Sequence, residues 1–352
     1  MSFMGKLGVG FVGAGPVTQA IHLPTLARLT ADFQVVHVSD RDAVVAAGVA
    51  ARVGAISSTS CDDLLADPRV DVVAICSPNG FHAAQTIAAC RAGKKAVLCE
   101  KPFAMTAAEA AEIAAVSVET GVPILVGAMH TFDPGWQRVV AAWADFPARS
   151  HTIRSSIVLP PNPRFEDFAS EVINRPAATA VDLNSTEVRA ALVHGGVMGL
   201  AIHDLPLVRA LLGQFDDLRV LSAEALAPYG YVITLTADGK RIEVDAVMST
   251  TWQPNWTFDA YADDQALHID FPPSYVQAGS GTAMLTTPGS RTVFGPDPIN
   301  GYEGEWRALA ALIRGATAPP DLDGLIDDLR FALAIADAAA DHVRSGAITV
   351  PA

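Results

Sequence analysis

Short, uniformly apolar runs alternate with helical patterns through the first third of the chain. Residues 6–15 (KLGVGFVGAG) predict a strand ending in a glycine turn, and a helix of about 15 residues follows around His22 to Leu29. Further strands are predicted at 33–40, 70–78, 95–102 and 122–128, with helices at 62–67, 79–93 and 106–121. Thr106 and Glu109 form a capping box at the start of the last of these, and Gly121 closes it. Strands that are apolar on both faces belong to a parallel sheet covered by helices on both sides. Beyond residue 130 the pattern turns to alternation. Extended segments are predicted at 150–161, 218–225, 229–236, 241–249, 257–262 and 266–271, with a hairpin turn at Asp238-Gly239. One helical stretch, GGVMGLAIHDLPLVRALLG (195–213), lies among them, and helices at 304–315 and 322–346 close the chain.

At 352 residues the chain is long enough for two cores. Its 50% hydrophobic and 18% charged residues fit a compact fold. The net charge of -14 argues against nucleic acid or an anionic membrane as the main partner. Cys61, Cys76, Cys90 and Cys99 show no CxxC spacing, which points to a reducing compartment. With no cleavable apolar leader and no long apolar segment, a cytoplasmic protein without a membrane span is expected. The nine histidines form no HxxxH or HExxH pair, so no metal is expected.

Gly13 and Gly15 follow the first strand and precede a helix. A tight turn there lets backbone N–H groups approach a pyrophosphate, with Pro16 and Val17 extending the turn into the helix. The third fingerprint position falls on Thr18, where Gly or Ala is usual. Asp40 ends the second strand, where a carboxylate accepts bonds from an adenosine ribose and repels a 2′-phosphate. NAD is therefore favoured, with NADP kept open by the neighbouring Arg41 guanidinium. Ser77, Pro78, Asn79 and His82 follow another strand and face the same cofactor region, where the alternative makes Asn79 a helix cap and His82 a surface residue. Glu100 and Lys101 end the next strand before Pro102, and an ammonium there would stabilise a developing alkoxide. A structural ion pair is the competing reading of these two charges.

The glycine turn, the segment SPNGFHAAQTIAACRAGKKAVLCEKPFAMTAAEA (77–110) and GVPILVGAMHTFDPGW (121–136) together resemble the Gfo/Idh/MocA family, which includes glucose–fructose oxidoreductase and inositol dehydrogenases. The likeness runs through the whole chain and is strongest up to residue 136. It implies an α/β fold with an N-terminal Rossmann domain at 1–128 and an α+β domain on a mostly antiparallel open sheet at 129–298. Helices at 299–352 would pack back on both. It implies a sugar or polyol substrate, NAD or NADP, and a homo-oligomer, either dimer or tetramer. By the same resemblance Lys101 stands beside the substrate with Glu100 near the cofactor, and His203 is the acid/base.

Departures from the family pattern fall around His203. An Asp is common four residues before that histidine and another three after; this chain has Gly199 and Pro206. His130 and Thr131 precede Phe132-Asp133-Pro134, where an Arg is common. In a continuous helix Asp204 would be turned about 100° from His203 and make a poor substitute. His130, His194 and Asp182 are candidates to supply the missing tuning, and His130, Asp182 and Trp136 are expected at the substrate. Trp136, Trp252 and Trp256 fit either a sugar-binding wall or core packing. Pro206 requires a kink, or a helix that starts late with His203 at its threshold. A dinucleotide-binding sensor without turnover, and NAD-assisted elimination or glycoside hydrolysis, remain alternatives to a dehydrogenase acting on CH–OH groups.

Overall fold

The computed structural model describes residues 5–175, 182–251 and 253–346. Two compact units emerge, one formed by Met1–Gly127, Phe165–Ala177 and Tyr302–Leu329, the other by Ala128–Arg164, Ala178–Gly301 and Arg330–Ala352. The chain thus contributes to the first unit three times, a segmentation that a division at 128 and 299 does not contain.

Six strands build the first unit: β1 (Leu7–Val12), β2 (Phe33–Ser39), β3 (Ile56–Ser58), β4 (Val72–Ile75), β5 (Ala96–Glu100) and β6 (Ile124–Gly127). They are all parallel, in the order β3-β2-β1-β4-β5-β6. Every residue of β1, β4, β5 and β6 is buried, as strands covered on both faces require. Strand order reverses between β1 and β4, and ligands of such sheets lie outside the carboxyl ends at that reversal. Gly8 and Gly10 serve packing here. A Cβ at Gly8 would lie 1.9 Å from the Arg69 carbonyl oxygen, and one at Gly10 would lie 2.9 Å from Leu64 and Val70. The expected capping box at Thr106 and Glu109 is present, and Gly121 closes that helix with φ +68. The first helix runs over 16–28, close to the length predicted. It is π-wound over Thr18–His22, continues as an α-helix over Leu23–Arg28, and stops.

The second unit carries β7 (Thr152–Leu159), β8 (Arg219–Leu226), β9 (Tyr229–Ala237), β10 (Lys240–Met248), β11 (Asn255–Ala262), β12 (Gln265–Asp270), β13 (Thr282–Thr287) and β14 (Ser290–Phe294). Their order is β14-β13-β12-β11-β7-β10-β9-β8. Among these strands only the interior pair β7/β10 is parallel, so the sheet is mostly antiparallel, as expected. Asp238 and Gly239 both take positive φ and join β9 to β10 through the predicted hairpin. The β13/β14 hairpin is not among the predicted extended segments.

A helix over Thr186–Gly199 packs on β8 and β9. Ala190, Val193 and Val197 are fully buried along one face of it, and Gly196 approaches β9 so closely that a Cβ would lie 2.5 Å from the Tyr231 ring. The stretch 195–213 is not one helix. The α-helix ends at Gly199, a 3₁₀ turn holds Ala201–His203, and a short helix over Leu205–Arg209 begins with Pro206 in its first turn. Proline has no N–H to continue a helix but fits its start, so the chain restarts there and His203 lies just ahead.

Candidate functional site

In the first unit the glycine turn follows directly from β1. Gly13 has φ +95, and a Cβ on it would come within 2.6 Å of the Cys76–Ser77 backbone, so the loops after β1 and β4 touch only because position 13 is glycine. A Cβ on Gly15 would meet nothing within 4 Å, which leaves open space at the helix start. Thr18, the odd residue of the fingerprint, donates its hydroxyl to the Gly13 carbonyl at 2.7 Å and ties turn to helix. The half-buried Asp40 accepts from Ala14 N at 2.8 Å and from Asp42 N at 3.0 Å, so its carboxylate stands against the turn. Arg41 is exposed. Gly13, Gly15, the helix start at Pro16 and Val17, and Asp40 together match the cradle a dinucleotide needs.

The loop after β4 is ordered differently from the expectation. His82 is buried: its Nδ1 lies 2.8 Å from the Pro102 carbonyl oxygen and its Nε2 2.7 Å from that of Ser77. It ties the loops after β4 and β5 together. Ser77 bonds Gln85, whereas Pro78 and Asn79 are exposed and Asn79 does not cap the following helix.

Glu100 closes β5 as a buried carboxylate. Its Oε1 lies 3.0 Å from His22 Nε2, and its Oε2 accepts from Lys101 N at 3.3 Å. Burial alone would raise the Glu100 carboxyl, but the bonded His22 and the neighbouring Lys101 outweigh it and hold the group below the usual carboxylate range. Lys101 is half-buried and joined to Pro102 by a cis peptide. Burial lowers its ammonium from the usual lysine range while Glu100 pushes back.

Behind this pair, Trp306 Nε1 donates to His22 Nδ1 at 3.1 Å. An indole N–H can only donate, so Nδ1 accepts and the ring meets Glu100 through Nε2–H. Glu305 Oε1 stands 4.0 Å from the same Nδ1. Burial, with the Glu100 charge beyond it, pushes the Glu305 carboxyl well up, and among the described residues neither of its oxygens is bonded. Sequence reasoning did not single out His22, Glu305 or Trp306. A lone histidine in an apolar helix was the available signal.

In the second unit a 3₁₀ turn over Met129–Phe132 presents His130, which is 4% exposed. Its Nδ1 lies 2.6 Å from Asp204 Oδ1, and its ring stacks on Phe271 with centroids 3.7 Å apart. Asp204 is fully buried, and its Oδ2 accepts from Ser155 Oγ at 2.7 Å and Trp256 Nε1 at 2.8 Å. The Trp256 edge meets both imidazoles, at 4.8 Å from His130 and 5.5 Å from His203. The two imidazole centroids are 6.3 Å apart, and His203 Nδ1 lies 3.0 Å from Met129 Sδ.

Asp204 thus serves His130. As expected it is not a partner for His203, although the helix it was read on breaks before Pro206. Gly199 ends its helix, and among the described residues a Cβ added there would meet nothing within 4 Å. Of the other candidates, His194 pairs with Asp337 at 3.3 Å, and Asp182 is exposed and accepts from Asn184. Trp136 is buried edge-on against Trp143 and Phe258, which is core packing. Asp133 accepts from Gly135 N and Gly281 N and so anchors the loop after the His130 turn. Trp252 lies outside the described residues. Among the described residues no group of three or more His, Cys, Asp or Glu side chains is placed to hold a metal, and no helix is long and apolar enough to cross a membrane.

Comparison with known proteins agrees with this geometry. Residues 7–128 match the model of the oxidoreductase family with an NAD-binding Rossmann fold, GFO_IDH_MocA. An inositol 2-dehydrogenase 1 from Saccharopolyspora erythraea is 42% identical over 131 residues, 36% of this chain and 38% of that protein. The chain spans about two-fifths of the length of the curated relatives it matches first. An inositol 2-dehydrogenase from Rhizobium meliloti is 26% identical over 348 residues, covering 95% of this chain and 96% of that one. The solved UDP-N-acetylglucosamine 3-dehydrogenase GnnA from Acidithiobacillus ferrooxidans shares the fold, with a TM-score of 0.73 at 21% identity over 97% of this chain and all of that one. With the glycine turn, the Glu100-Lys101-Pro102 strand end and the match to the family model, residues 7–128 belong to the Gfo/Idh/MocA family of oxidoreductases with an NAD-binding Rossmann fold.

Proposed function

We propose that this protein is an NAD(P)-dependent oxidoreductase that interconverts a hydroxyl and a carbonyl on a sugar, an inositol or a related polyol or sugar acid. The observation that carries the reading is Lys101, a half-buried ammonium at the carboxyl end of β5, backed by the buried Glu100–His22 pair in the unit that holds the glycine turn. Gly13, Gly15 and the helix start would hold the pyrophosphate, and Asp40 the adenosine ribose, which favours NAD while Arg41 leaves NADP open. The bound dinucleotide would supply the hydride acceptor. Lys101 would hold the substrate oxygen and stabilise its developing negative charge. His203 would take the hydroxyl proton as general base. The inositol 2-dehydrogenases among the relatives support starting with cyclic polyols.

Open space at Gly199 favours one rival, a sensor that binds a dinucleotide without turnover. Formation of reduced nicotinamide, followed by absorbance with NAD+ or NADP+ across a panel of inositols, sugars and sugar acids, separates the two. We expect turnover of at least one cyclic polyol and its loss in Lys101→Ala and His203→Ala. Tight dinucleotide binding without turnover on any member of the panel would overturn the reading.

A further inference from the structure

His130 belongs to no step above, yet a fully buried carboxylate holds it. Asp204 holds it at 2.6 Å, and that carboxylate is itself fixed by Ser155 Oγ at 2.7 Å and Trp256 Nε1 at 2.8 Å. Trp256 can only donate, so Asp204 Oδ2 accepts, and Oδ1 is the oxygen that faces His130 Nδ1. With Nδ1 on Asp204, Nε2 is the ring nitrogen left to meet a ligand. Among the described residues no group bonds that nitrogen, although the residue is only 4% exposed. Nε2 is the ring's remaining polar atom, and a substrate that covers it must supply the bond that water otherwise makes. Phe271 stacked on one face and Trp256 at the edge restrict the ring, so the acceptor is aimed before any ligand arrives. His203 stands beside it, with centroids 6.3 Å apart.

We propose that His130, positioned by Asp204, is a specificity-determining acceptor: it receives the hydrogen bond of a second substrate hydroxyl close to the one His203 deprotonates. This rests on the oxidoreductase reading and narrows its substrate to a polyol with neighbouring hydroxyl groups. His130 exchanges no proton in the reaction; the bond it makes is present before and after hydride leaves.

The test compares each active polyol with its deoxy analogue lacking the neighbouring hydroxyl, in the wild type and in His130→Asn. Asn keeps an N–H donor in the Nδ1 position for Asp204 and lacks Nε2, so the fold is preserved while the acceptor is lost. The wild type should prefer the polyol by on the order of 10³-fold or more in kcat/KM, because the bound analogue covers Nε2 without bonding it. In His130→Asn that preference should fall to within about tenfold, mainly through loss on the polyol. A purely structural role would lower both substrates alike and leave the ratio unchanged, which would overturn the proposal. Asp204→Asn provides a second check without turnover. Ring-nitrogen NMR should show His130 protonated at Nδ1 in the wild type and a different tautomer balance in the variant. An Nε2–H tautomer in the wild type would also overturn the proposal. If the wild type turns over no polyol at all, the oxidoreductase reading fails and this inference falls with it; a wild type that is active but indifferent to the neighbouring hydroxyl sinks the inference alone.

Discussion

Each unit buries a histidine against a carboxylate at its candidate site, His22–Glu100 in the first and His130–Asp204 in the second, and the two pairs are satisfied very differently. In the first, Glu100 has one side-chain partner, His22, and beyond it only the Lys101 N–H at 3.3 Å. His22 is in turn held by Trp306, so both ring nitrogens are engaged. In the second, Asp204 has three side-chain donors at 2.6–2.8 Å, and His130 spends one nitrogen on it and keeps the other. The first pair is closed and depends on each member. The second is over-determined at the carboxylate and open at the imidazole. A buried ion-pair partner that cannot be spared is a stability element, whereas one with a spare nitrogen is placed for a ligand.

The largest effect should come from breaking the closed pair. His22→Ala leaves Glu100 buried and nearly unpartnered, and should cost about 3–5 kcal/mol in denaturant unfolding. His130→Asn keeps every donor to Asp204 and should cost under about 1.5 kcal/mol in the same assay. Equal losses would erase the distinction between the pairs. Next in size, Trp256→Phe removes one of the three donors to Asp204 and should cost about 1–3 kcal/mol, since Ser155 and His130 remain.

The closed pair also sets the charge of Lys101. Burial lowers the ammonium and Glu100 supports it. Activity that needs the ammonium is complete below its pKa and is lost as pH rises through it, so the basic limb of kcat/KM should lie below that of an ordinary lysine. Glu100→Gln removes the supporting charge and should move that limb to still lower pH. A limb that stays in place would mean that Lys101 does not carry the charge the reaction uses. The smallest effect is expected at Gly199. Its Cβ direction is open, so Gly199→Asp should shift unfolding by less than about 1 kcal/mol, and a larger loss would show that the space is not free.

The first unit was the more legible of the two in the sequence. Strands buried on both faces write themselves as continuous apolar runs, and the turn at Gly13 follows from a backbone contact that only glycine permits. Lys101 and Glu100 stood out as charges at a strand end. His22 did not, because its partners Glu100 and Trp306 lie 78 and 284 residues away. The second unit hid its chemistry in the same manner. His130 and Asp204 are 74 residues apart, and a helical reading of 195–213 weighed Asp204 only against His203. Pro206 carried the correct signal, a restart of the helix, but not the direction in which Asp204 would point. The β13/β14 hairpin escaped because β14 is largely exposed and lacks a clear apolar alternation.

The central claim is net hydride transfer, and isotope transfer tests it most directly. A polyol that supports turnover would be prepared with deuterium on its carbinol carbon and incubated with NAD+ or NADP+, and the released nicotinamide examined by mass spectrometry. The account predicts one deuterium in the reduced dinucleotide and a carbonyl in the product. Deuterium that never leaves the sugar, or that returns to it while the dinucleotide ends oxidised, would contradict the account.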